Sequence, residues 1–582
     1  MNEDNRNLVI FGVLAALILI GWPILSARFF PVPQRPAVTA KVNTPAPGAT
    51  PGAAPAADGA VTVRDLATVL KDSPRLAVRT PAVQGSINLK GARLDDLVLL
   101  RHRETVEKDA PPVRLLAPSG TALAYFGTFG WTVTGATAPD KSSVWTADAS
   151  VLTPARPVTL SWTSPEGVRF AIKIAVDKDY MFTVEQSVAN AGAKPIVARP
   201  YGLVSRTGLP KELDTWTNHV GPVGVFGNGA NYDIGYPNLA GKDPSFFART
   251  FGTSAKAGEN YFDAHGGWLG FADHYWLAAL IPDQNARVHS GFRGAPGDVY
   301  QADFASAPAS IAPGHQVTQT SRFFAGAKEV RLIDQYENTL GIANFDKAID
   351  WGWFRIIEKP IFYYLDFLFR LVGNFGVAII LLTFTIRGFL FPIAQRQFAS
   401  MAKMRAVQPK MKAIQERYKD DKPRQQQEIM QLYRTEGVNP LAGCLPTFLQ
   451  IPILFGLYKV LLLSIDMRHQ PFVLWIKDLA APDPLTPLNL FGLLPFHPPA
   501  AIAIGIVPIL LGISMYFQFK LNPQPMDEAQ QQVFKIMPWM LMFMMAPFAV
   551  GLQIYWITSN LLTIGQQRLL YSRHPDMLAP KK

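Results

Sequence analysis

Five stretches of this chain are too apolar for an ordinary soluble fold, and their placement constrains everything between them. Residues 8–25 read LVIFGVLAALILIGWPIL, an uncharged run long enough to cross a bilayer with little to spare. The others are 375–391, 442–465, 500–519 and 533–570, all in the last two-fifths of the chain. The last is too long for one span, and Ala546-Pro547 with Gly551 divides it into about 533–547 and 549–570. The expectation is a polytopic α-helical membrane protein with six transmembrane helices. The first run could be a cleaved signal peptide, but its apolar core is long and no small-x-small cleavage site follows, so it is read as a retained helix.

Between the first run and the rest, the texture changes twice. Residues 31–60 hold Pro, Ala, Gly and Thr with almost no large apolar side chains, too little to order themselves by burial, and read as a linker. From about 61 to 340, short runs alternate with period two, as in Val158-Thr-Leu-Ser-Trp162 and Phe170-Ala-Ile-Lys-Ile-Ala-Val176, punctuated by Gly, Pro, Asn and Asp. This predicts a large all-β sandwich. Residues 351–371 are rich in aromatics but carry Arg355, Glu358, Lys359, Asp366 and Arg370, which suits an amphipathic helix lying at the membrane interface. The expected order is a first transmembrane helix (1–28), a linker (29–60), the β-sandwich (61–345), the interfacial helix (346–374), a second transmembrane helix (375–391), a helical hairpin (392–440), helices three to six (441–571) and a basic tail (572–582).

Charge orients this arrangement. The 392–440 stretch has ten Lys/Arg, whereas 466–499 has only Arg468 and Lys477. Short loops rich in Lys and Arg remain cytoplasmic. Hairpin and both termini are therefore inside, and residues 29–374 outside. Met401, Met404, Met411, Ile414 and Tyr418 mark one helical face of the hairpin, and Ile429, Leu432 and Tyr433 mark another after the turn at Asp420-Asp-Lys-Pro423.

Composition excludes several functions. The net charge of +11 is mild for 582 residues and its densest patch lies between apolar segments, so no specific nucleic-acid sequence is expected as partner. The single cysteine, Cys444, can form neither an internal disulfide nor a multi-thiolate metal site. Phosphate-binding, zinc-protease and nucleophile-elbow motifs are missing, so no enzyme activity and no cofactor are expected. Arg387 is the outstanding candidate for function, because a charge inside a span costs a few kcal/mol. It lies four residues from the end of its apolar run, so it could also snorkel to the headgroups. Thr383 lies one turn away; Gln450 interrupts the third span. On the last span, Tyr555 and Ser559 form one row and Trp556, Asn560 and Thr563 another. Such groups line wet cavities or tie helices together. Five methionines in 537–545 suit gap-filling or an adaptable apolar surface.

Several stretches, in order and spacing, carry a family resemblance: Thr383-Phe-Thr-Ile-Arg387-Gly, Ser400-Met-Ala-Lys-Met404, Gln408-Pro-Lys410, Val438-Asn-Pro-Leu-Ala-Gly-Cys444, Gln450-Ile-Pro-Ile453 and Ser559-Asn560. Residues from about 350 to 571 closely resemble the YidC family of insertases. The first span and outer domain resemble its Gram-negative form in arrangement. The resemblance implies a β-supersandwich in the periplasm and a hydrophilic groove open to cytoplasm and lipid but closed toward the periplasm. Arg387 resembles the groove arginine; Gln450, Tyr555, Ser559 and Thr563 resemble groove or client-contact positions, and Trp556 stands where relatives often carry another aromatic. The implied partners are nascent hydrophobic membrane-protein clients, the Sec translocon, and a ribosome or targeting factor at the hairpin and basic tail. The implied location is the bacterial inner membrane. A secondary transporter or channel would also place polar groups in spans, but it predicts internal repeats and paired broken helices, which the sequence lacks. A membrane-tethered carbohydrate-binding or envelope factor would instead place function in the β domain.

Overall fold

Alternation in the outer segment becomes strand burial. In Val168–Val176, residues Val168, Phe170, Ile172, Ile174 and Val176 are buried while Arg169 and Lys173 face out. This strand pairs antiparallel with Met181–Asn190, placing Val188 opposite Phe170, and Met181–Asn190 pairs on its other side with Gln316–Ala327. These strands belong to a nine-stranded sheet; an eleven-stranded sheet is centred on Ile196–Thr207, between Tyr125–Thr134 and Val299–Ser306. The computed structural model describes residues 54, 62–212, 217–227, 229–242, 255–419, 421–437, 445–491, 494, 504–521 and 528–573. The expected first span, the linker apart from Ala54, and the tail beyond 573 lie outside these.

Inward rows of the two sheets meet to form the β core. Phe129 packs edge-on to Phe323 at 6.2 Å and Trp131 meets Phe170 at 5.3 Å. Gly127 leaves room for the Phe323 ring, which would lie 3.0 Å from any Cβ placed there. Gln186 crosses the core to donate to the Gly130 carbonyl at 2.8 Å, satisfying both polar groups away from water.

A lysine is buried at the end of this sheet. Lys328 is 2 % exposed. Burial, only partly opposed by Asp273, Asp350 and Glu212, brings its pKa down to about 8 from 10.5. Between these values the unfolded chain holds the extra proton, so stability rises with pH across that window. The gain amounts to about 3 kcal/mol. Replacing Lys328 by Met is expected to raise the melting temperature of the β unit at pH 7 and to flatten its rise between pH 8 and 10.5, as read by near-UV circular dichroism. An unchanged pH profile would contradict this.

From Trp351 the chain forms a second compact unit, built of helices. We label the helices α1 (Val330–Leu340, closing the β unit), α2 (Arg355–Val372), α3 (Phe375–Arg417), α4 (Lys422–Thr435), α5 (Leu445–Leu463), α6 (Ile506–Leu521), α7 (Glu528–Met545) and α8 (Val550–Arg573). Gly373 ends α2 in the left-handed region, φ 70°, and Asn374 caps α3 by accepting from the Val377 amide.

Two features differ from the sequence expectation. α3 does not stop at 391: it continues for 43 residues, about 64 Å at the α-helical rise, so the second span and the first arm of the hairpin are one helix. Pro392 sits inside it; the residue whose carbonyl the ring confronts is Gly388. The apolar part of α3 reaches Gln395, which sets Arg387 eight residues from its end rather than four. The second difference is in α2. Its charged Glu358 and Asp366 are buried, while Ile356, Phe367 and Leu371 are exposed, the reverse of a water-facing helix. Phe375–Gln395 is the one segment, among the described residues, long and apolar enough to cross a membrane by itself; Gln450–Leu463, Ile506–Leu521 and Phe534–Met545 are shorter apolar helices.

α4 folds back on the end of α3. Asp421 caps it by accepting from the Arg424 amide, the Tyr433 hydroxyl donates to Met411 Sδ at 3.0 Å, and Lys410 pairs with Glu436 at 2.5 Å.

Candidate functional site

Arg387 turns inward. Its Nε donates to Ser559 Oγ on α8 at 2.9 Å, and a second guanidinium nitrogen donates to the same oxygen. Ser559 is 1 % exposed. Among the described residues, no carboxylate lies within ion-pair distance of Arg387. Ser559 is neutral and satisfies only part of a five-donor guanidinium, so among the described residues no anion balances the positive charge.

One turn before Ser559 on α8, Tyr555 accepts from Gln450 Nε2 of α5 at 2.6 Å. α3, α5 and α8 thus converge through Arg387, Ser559, Tyr555 and Gln450. The Thr563 hydroxyl joins by donating to the Ser559 carbonyl at 2.8 Å. Thr383 is fully buried and donates to the Ile379 carbonyl of its own helix, and Trp556 is half-buried on the neighbouring row. Asn560 faces elsewhere: it donates to Ser514 Oγ of α6 at 2.9 Å, tying α8 to α6 outside the arginine cluster.

The loop 464–491 contacts the N-terminal ends of α3, α6 and α8. The Asn374 side chain, at the start of α3, donates to the Phe472 carbonyl at 3.0 Å. At the start of α8, the Val550 and Gly551 amides donate to the carbonyls of Ala481 and Leu479, each at 2.9 Å. Asp483 holds the start of α6. Its carboxylate accepts from the Val507 amide at 2.8 Å, and also from the Trp475 indole and the Leu485 amide, both at 3.0 Å. Helix N-termini carry unsatisfied N–H groups, and here a single loop supplies acceptors for two of them.

Several contributors carried weaker sequence signals. Gln553 donates to the Met545 and Phe548 carbonyls, each at 2.9 Å, and so satisfies backbone freed where α7 breaks before α8. Lys459 on α5 is buried, although a lysine within an apolar run is the same signal that singled out Arg387. Tyr364 of α2 and Thr385 of α3 share a hydrogen bond of 2.9 Å.

A two-sheet β unit followed along the chain by apolar helices that carry an inward arginine fits an integral membrane protein. The family model for the YidC periplasmic domain matches residues 75–364, and that for the 60Kd inner membrane protein matches 367–577. The chain is 47 % identical to the membrane protein insertase YidC of Zymomonas mobilis over 98 % of this chain and 96 % of that one. It is 43 % identical to the same protein of Methylorubrum extorquens, over 99 % and 96 %. Among solved structures it is similar to an active YidC insertase with its first transmembrane domain resolved, at 17 % identity, 86 % of this chain, 95 % of that chain and a TM-score of 0.35. This chain belongs to the YidC family of membrane protein insertases.

Proposed function

We propose that this protein inserts hydrophobic segments of client proteins into the bacterial inner membrane, through a polar groove that opens to the cytoplasm and ends at the loop 464–491. The observation that carries this reading is the inward Arg387, seated on Ser559 beside the Gln450–Tyr555 pair and without a carboxylate partner among the described residues. Its charge attracts acidic groups on a short hydrophilic client tail, and in a low-dielectric setting that attraction is far stronger than in water. The tail's backbone polar groups find partners along the groove while they cross part of the hydrocarbon. The client's apolar segment then moves into lipid, each buried methylene contributing about 0.8 kcal/mol. No bond is made or broken, and no nucleotide is consumed.

The same reading gives six crossings, with residues 8–25 as the first, both termini and the hairpin cytoplasmic, and the β unit periplasmic. The short apolar helices favour a locally thinned bilayer. The α3–α4 hairpin and the basic tail receive the client from a ribosome or targeting factor, and the protein works alone or beside the Sec translocon.

Reconstitution of the pure protein in liposomes, with a small phage-coat-like client and protease protection as readout, tests the activity. Protected client in the absence of nucleotide is expected; none would reject the reading. Tyr555→Phe, which leaves Gln450 without its acceptor, is expected to cost about 1 kcal/mol and slow insertion roughly fivefold. A rate equal to that of the unaltered protein would exclude Tyr555 from the groove.

A further inference from the structure

We propose that the β unit carries a two-point socket for a peptide main chain, formed by Asp303 and Arg293, and that its occupant is this chain's own linker at Ala54. The Ala54 amide donates to Asp303 Oδ2 at 3.2 Å, and the Arg293 guanidinium donates to the Ala54 carbonyl at 2.6 Å. Both polar groups of one residue are therefore taken up by side chains on the face of a sheet, not by its edge. Ala54 is 3 % exposed, so the seat accepts a small side chain and excludes a large one.

The rest of the socket is already arranged. Asp303 is fully buried, and its Oδ1 accepts from the Tyr261 hydroxyl at 2.9 Å and from Gln301 Nε2 at 2.8 Å. Arg293 Nε lies 3.7 Å from the same oxygen. Asp303 and Tyr261 reach each other across an intervening strand because both stand opposite Gly291. A Cβ at Gly291 would lie 2.8 Å from the Tyr261 ring. A buried carboxylate is costly unless its acceptor sites are filled. With Oδ1 occupied by the sheet's own side chains, Oδ2 is left for the Ala54 main-chain N–H. The linker sequence suits this seat: residues 31–60 have almost no large apolar side chains, so main-chain recognition is the means by which such a segment can be held.

Hydrogen–deuterium exchange on the full-length chain in lipid nanodiscs tests the socket. The Ala54 amide is expected to exchange at least tenfold more slowly than its unstructured rate, and Ala54→Trp should abolish that protection at position 54, whereas Ala54→Ser should keep it. Asp303→Asn is expected to remove the protection too. Should that variant unfold the β unit, Arg293→Gln decides: a folded domain with several-fold faster exchange at Ala54 supports the socket. Exchange at the unstructured rate in the unaltered chain, or protection indifferent to both Ala54→Trp and Arg293→Gln, overturns it.

Discussion

Arg387→Ala is expected to slow insertion of a client with an acidic translocated tail by at least about tenfold, while a client with an uncharged tail slows much less. Two unit charges about 4 Å apart attract by about 4 kcal/mol at an effective dielectric of 20, and each 1.4 kcal/mol is a factor of ten. Arg387 has no carboxylate partner among the described residues, so its charge is available to the client. Arg387→Lys should fall between the two: it keeps the charge but loses the fork with which two guanidinium nitrogens meet Ser559. The check is the time course of protease-protected client in liposomes. Equal slowing of acidic and neutral tails would show that Arg387 acts through packing alone.

Asp483→Ala is expected to destabilise the helical unit by about 3–9 kcal/mol, because the Val507 amide, the Leu485 amide and the Trp475 indole would each lose a buried acceptor, at roughly 1–3 kcal/mol apiece. Asp483→Asn keeps one carbonyl oxygen and should cost less than half as much. Thermal loss of the helical circular dichroism signal, in detergent, reads this out. An unchanged melting temperature for Asp483→Ala would mean that the loop 464–491 does not hold the start of α6.

Much of this was legible because the sequence periods are local. The strand Val168–Val176 shows its buried face in five alternating residues, and the break between α7 and α8 falls at Ala546-Pro547. Arg387 announces itself as a charge in an apolar run, and Lys459 meets the same criterion within 442–465. The charges of 351–371 suggested a helix face turned to water. In α2, Glu358 and Asp366 are buried and Ile356 is 83 % exposed. At a membrane the outward direction is lipid, so the usual inside-out inference inverts. The second apolar run ends at Phe391, whereas α3 continues through Pro392, with Gly388 one turn earlier. Which helix a polar residue faces is a tertiary matter. Ser559 and Asn560 are neighbours in sequence, yet one meets Arg387 on α3 and the other Ser514 on α6.

The central claim is a water-accessible, positively charged recess that is reached from one side only. With Cys444→Ser as background, Ser559→Cys and Thr563→Cys place a thiol at, and one turn beyond, the position that receives Arg387. A membrane-impermeant maleimide should label both from the cytoplasmic side in inverted vesicles and neither from the periplasmic side in intact spheroplasts. Labelling from neither side would mean the helices pack without water around Arg387, and labelling from both would mean a channel; either result contradicts the groove.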